Sequence, residues 1–94
     1  MRIEGVSWKR EVVDKLSSKH GVEIYEVEQA LMARPKIRFV EQGERQGEDV
    51  YLALGQSEAG RYLAVLFIYK QTREVLILSA RDMAQKERRH YGKK

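Results

Sequence analysis

Arg81, Glu87, Arg88 and Tyr91 crowd into the C-terminal stretch LILSARDMAQKERRHY, residues 76–91. Guanidinium, carboxylate and phenol groups at this spacing suit RNA cleavage through the 2′-hydroxyl of RNA itself. A base takes the hydroxyl proton, cations stabilise charge on the phosphate, and an acid protonates the leaving 5′ oxygen. Glu87 or His20 can be the base. Arg81, Arg61 and Arg88 can clamp phosphate, because a planar guanidinium meets two phosphate oxygens at once. Lys19, His20 or Tyr91 can supply the acid. Glu87 stands between Lys86 and Arg88, which keeps it ionised and favours base over acid. The expected catalytic set is therefore Arg81, Glu87, His20 and Arg61, with Lys19, Arg88 and Tyr91 as RNA contacts.

Other chemistries find no support. His20 and His90 are the only histidines and the chain has no cysteine. Neither histidine has a second ligand at helical or finger spacing, so no metal and no cofactor is expected. Without cysteine there is no thiol nucleophile and no disulfide scaffold. Gly43 and Gly47 fit neither nucleotide-binding fingerprint, and no serine sits in a nucleophile-elbow context. His90 has no assigned role.

The elements that must hold these groups read as follows. Residues 1–6 alternate weakly, as a short first strand would. Ser7 suits an N-cap for a helix over 8–20, with Trp8, Val12 and Leu16 as its apolar line and Gly21 just past its end. A second helix, from Val22 or Glu23 to about Ala33, carries the stripe Ile24, Val27, Leu31. Pro35 disfavours helical geometry at Arg34 and ends it. The period then drops to two: Ile37 and Phe39 alternate with charged neighbours, a polar loop covers 42–48, and Val50, Leu52 and Leu54 alternate next. Tyr62 to Tyr69 is apolar on both faces, as in a central strand. Glu74 to Leu78 follows a short turn, completing an antiparallel meander. Asp82 is then expected to N-cap a last helix, with Gln85 three residues on and Arg81 at the strand-to-helix junction, a geometry suited to anions. The order (β)ααββββα predicts an α+β domain, an αα-hairpin and a C-terminal helix on a curled antiparallel sheet.

At 94 residues the chain is one domain, 1–94. A hydrophobic share of 43% against 34% charged fits a globular chain rather than a disordered one. No apolar run reaches membrane-span length and MRIEGVSWKR lacks a signal-peptide core, so a cytoplasmic bacterial protein is expected. From Ala80 onward six Lys or Arg face two acids, so that segment carries the whole net charge of +4. Such a footprint suits nucleic acid.

The same stretch carries a resemblance. S-A-R-x-x-x-x-x-E-R-x-x-Y, here Ser79, Ala80, Arg81, Glu87, Arg88 and Tyr91, resembles the C-terminal signature of the BrnT family of type II toxins. K-H-G-V at 19–22 and L-G-x-S-x-x-G-R at 54–61 match in the same order. The resemblance covers about Trp8 to Tyr91. It implies a RelE-like fold, a growth-inhibiting ribonuclease, and a DNA-binding antitoxin of ribbon–helix–helix type, in a homo-oligomer or a toxin–antitoxin hetero-oligomer. Two other classes stay open. A non-catalytic RNA-binding module would use the basic helix with Tyr51, Tyr62 or Tyr69 as stacking platforms. A protein-interaction module would use the apolar sheet face.

Overall fold

The computed structural model describes residues 1–93. Five strands form one sheet in the order β1-β5-β4-β3-β2: β1 is Gly5–Trp8, β2 Lys36–Glu41, β3 Asp49–Gln56, β4 Tyr62–Tyr69 and β5 Glu74–Asp82. The strands from β2 to β5 pair antiparallel, β2 and β3 across the loop 42–48 and the others through short turns, while β1 runs parallel to β5. β4 lies at the centre, as its two-sided apolarity requires. Its odd-numbered side chains Leu63, Val65 and Phe67 are fully buried in the main core. Its even-numbered side Tyr62, Ala64, Leu66 forms a second, smaller core on the other face.

Different helices cover the two faces. The main core is closed by α1 (Arg10–Lys15), a π-helical turn (Leu16–His20) and α2 (Ile24–Met32). Leu16, Val22, Val27, Ala30 and Leu31 make that contact. A carbon added at Gly55 would collide with the Ala30 carbonyl oxygen, so α2 lies directly on the backbone of β3. Gly21 closes the hairpin with φ 59°, a left-handed conformation that glycine adopts without steric cost. On the other face α3 (Gln85–Gly92) lies across Leu54, Ala64 and Tyr62, its own Tyr91 packing there beside Met83. The α+β architecture is the expected one.

Two boundaries differ from the sequence reading. Ser7 is no helix cap: Gly5–Trp8 is a strand in register with 74–77, and the Ser7 hydroxyl points to the Val75 carbonyl at 3.4 Å. The first helix thus starts only at Arg10 and winds out into a π turn at Leu16. Parallel pairing with β5 satisfies backbone groups there that a helix would otherwise have claimed. Asp82 is no cap either. β5 continues four residues past Leu78, through Ser79, Ala80, Arg81 and Asp82, which oppose Leu66, Val65, Ala64 and Leu63. The register slips between Leu66 and Phe67, whose partners are Ser79 and Ile77. Leu78 is therefore an extra residue in a β-bulge. The bulge breaks the alternation on which strand recognition depends, so the sequence pattern ends where the strand only shifts.

Candidate active site

The bulge sets which way Arg81 faces. Ile77 and Ala80, three residues apart, are both fully buried in the main core, and Arg81 opposes Ala64 on the face that α3 covers. From there the Arg81 guanidinium reaches Glu87 in the first turn of α3. Nη1 donates to Oε1 at 2.6 Å and Nη2 to Oε2 at 3.0 Å, a two-pronged pair. Oε1 also accepts the Ala84 backbone N–H at 2.8 Å, one half of a capping box. The Arg81 hydrogen bond is the main reason that the Glu87 carboxyl ionises more readily than usual; the Ala84 N–H and the charges of Arg81 and Arg38 add to it, against partial burial. In turn the pairing raises Arg81 above its ordinary value.

This pair forms part of a groove of about 480 Å³ with Leu52 and Leu54 on its floor. Arg38 comes from β2, where it opposes Leu52, while Lys86 and His90 come from α3. Lys36, two residues before Arg38 on the same strand face, donates its Nζ to the carbonyls of His90 and Lys93 and ties the C-terminal end of α3 to the sheet edge. Three cations, a carboxylate and an imidazole thus share one groove. Neither Arg38 nor His90 was expected there. Two faint signals pointed to them: Lys36 and Arg38 recur at period two opposite Ile37 and Phe39, and His90 lies three residues after Glu87, on a neighbouring helical face.

The other expected residues lie elsewhere. Arg88 is on the opposite flank of α3, its guanidinium 4.2 Å above the centre of the Tyr62 ring. Tyr91 meets Tyr62 edge-on at 6.0 Å. Arg61, expected as a phosphate clamp, has no donor left to offer. Its Nε and Nη2 hold the two Asp82 oxygens at 2.7 and 3.1 Å. Nη1 donates to Gly21 O at 2.8 Å and to Glu26 Oε1 at 3.1 Å, and Nη2 also to His20 O at 3.1 Å. All five guanidinium N–H groups are thereby used. The knot binds the π turn, α2 and β5 together and holds the Asp82 carboxyl below the usual range. His20 enters it through its backbone carbonyl, and both it and the exposed Lys19 lie outside the Arg81 groove.

The family model described as "Ribonuclease toxin, BrnT, of type II toxin-antitoxin system" matches residues 8–87. The chain belongs to the BrnT toxin family. Among solved structures, the ribonuclease toxin BrnT of Brucella abortus is similar at 18% identity and a TM-score of 0.63, over 86% of this chain and 97% of that one. At that identity the likeness concerns the fold. A search of curated proteins finds no match. The matched region takes in the strand and bulge that aim Arg81 and ends at Glu87, so the residues forming the pair fall inside the family's extent. Among the described residues no group of three His, Cys, Asp or Glu is placed to hold a metal ion, and no helix is long and apolar enough to cross a membrane.

Proposed function

We propose that this BrnT-family chain is an endoribonuclease that cuts RNA without a metal ion, using the Arg81 groove. The observation carrying this reading is the two-pronged Arg81–Glu87 pair in a groove shared with Arg38 and His90. Glu87 Oε2 has one donor, at 3.0 Å, and so keeps a lone pair free. Its lowered pKa keeps it a carboxylate at neutral pH, the form that can accept a proton. It takes the 2′-hydroxyl proton as that oxygen attacks the adjacent phosphorus. Arg81 and Arg38 share the non-bridging oxygens, where negative charge gathers. The bond from phosphorus to the 5′ oxygen breaks, and His90 gives that oxygen its proton. The products are a 2′,3′-cyclic phosphate and a free 5′-hydroxyl end. Purified protein should cut RNA in excess chelator and without ribosomes; activity that vanishes on chelation and returns with a divalent ion overturns the reading.

Growth inhibition follows if cellular RNA is the substrate, and the cytoplasm is where that substrate lies. The partner in this reading is a DNA-binding antitoxin of ribbon–helix–helix type. Its support is the half-buried apolar strip Leu66, Ile68, Leu76 beside the groove, on the sheet face that α3 covers only in part. An apolar strip next to a basic groove suits an amphipathic segment with acidic residues. Such a segment blocks the arginines by competing with RNA. Antitoxin and RNA should then exclude one another, and a complex cutting RNA at the free toxin's rate rules blocking out.

A further inference from the structure

The flank of α3 away from the Arg81 groove carries a second depression, of about 390 Å³, formed by Tyr62, Gln85, Arg88, Arg89, Tyr91 and Gly92. Its composition is not that of the catalytic groove: two aromatics, two arginines, an amide, and no carboxylate. Tyr62 is held by Tyr91, whose ring meets it at 79°, and its face is covered by the Arg88 guanidinium. Arg88 is exposed, so the outer plane of that guanidinium faces solvent. Neither Arg88 nor Arg89 forms an ion pair among the described residues, whereas Arg61 and Arg81 both do.

A flat cation stacked on a tyrosine, with its other face open, is half of a stacking column. Nucleobases complete such columns, since unpaired bases stack on aromatic rings and on guanidinium planes alike. We infer that this depression is a nucleobase subsite, in which one unpaired base of a single-stranded RNA stacks on Arg88 over Tyr62. The Gln85 amide, at the rim, offers a donor and an acceptor to a base edge. Arg89 offers charge to the neighbouring phosphate. The subsite deepens the ribonuclease reading and rests on RNA being the ligand. One strand then straddles α3, its scissile phosphate in the groove of Arg81 and a flanking base on the far side. A double helix keeps its bases in the stack and cannot make that contact, so the substrate is unpaired RNA.

The probe is a short fluorescein-labelled RNA with 2′-O-methyl groups throughout, which removes the nucleophile so that binding is read without cleavage. Bases are deleted one position at a time and affinity is measured by anisotropy with the full chain. Wild-type protein should lose roughly tenfold in affinity at one position, the scale of a single stack. Arg88→Lys keeps the charge and loses the plane; it should bind the intact RNA roughly tenfold more weakly and ignore the deletion. Tyr62→Leu should behave alike, with far-UV circular dichroism reporting that both variants are folded. A flat deletion scan in the wild-type protein overturns the subsite, as does an Arg88→Lys protein that still senses the missing base. So does a variant that loses only antitoxin binding. Cleavage of unmodified RNA in chelator, measured on the same preparation, separates the two readings. Cleavage with a flat scan removes the subsite alone, and base-dependent binding without cleavage removes the enzymatic reading alone.

Discussion

Arg81 and Asp82 are neighbours in the chain but serve opposite faces of the sheet. Arg81 turns to the α3 face and pairs with Glu87; Asp82 opposes Leu63 of the main core and pairs with Arg61 beside the helical hairpin. Their substitutions should therefore separate. Arg81→Ala is expected to lose about 2–4 kcal/mol of transition-state stabilisation, the scale of a lost oxyanion donor, with little change in melting temperature. Asp82→Asn should cost under about 1 kcal/mol of stability, since an exposed ion pair contributes little, and leave cleavage near the wild-type rate. Single-turnover cleavage and thermal denaturation of both proteins check this. Equal effects of the two on cleavage would contradict it.

Both carboxylates have folded-state pKa values below their ordinary ones, Asp82 through Arg61 and Glu87 through Arg81. In the acid range the unfolded chain then binds more protons than the folded one, so stability rises with pH there. The contribution is complete above the ordinary carboxylate range and drains away as pH falls through the depressed folded values. Melting temperature should accordingly drop on acidification from pH 5 downward. Arg61→Gln should flatten that drop, because Asp82 loses the cation that lowers its pKa.

His90 donates the proton to the leaving 5′ oxygen in the proposed cleavage, so removing the imidazole should slow the breaking of that bond. His90→Gln should lower the cleavage rate by about 10²–10⁴. Single-turnover cleavage by the variant provides the check. An unaltered rate assigns the proton to another group.

Gly55→Ala tests the packing of α2 on β3. The added methyl meets the Ala30 carbonyl oxygen, so helix or strand has to shift, at a cost of about 1–3 kcal/mol. Urea unfolding measures it. A loss near zero would mean that α2 does not sit directly on the strand.

Much of this arrangement was legible in the residues, and the parts that were not share a cause. β4 read correctly as central because Leu63 to Phe67 is apolar on both faces. β3 read from the alternation of Val50, Leu52 and Leu54. Arg81 and Glu87 stood out as a cation and a carboxylate near one junction. Long-range pairing stayed hidden. Nothing local in Gly5–Trp8 announces a parallel partner in Glu74–Ile77. Arg61 read as free charge because its five acceptors come from three distant segments. Arg38 reaches the groove only because β2 lies beside β3, with Arg38 opposite Leu52. Arg88 lay one helical step from Glu87, yet α3 separates the two by seating its Glu87–Tyr91 side on the sheet.

The extra residue at Leu78 makes the chemistry of the groove a matter of counting. Side chains on a strand alternate between faces, so a one-residue slip in pairing inverts all that follow. Were Leu78 to pair with Leu66 instead of bulging out, the count from Ile77 would send the Arg81 guanidinium toward the main core and present the Asp82 carboxylate to the groove, exchanging a cation for an anion with every residue unchanged. One unpaired residue, as much as residue identity, decides whether the groove attracts a phosphate or repels it.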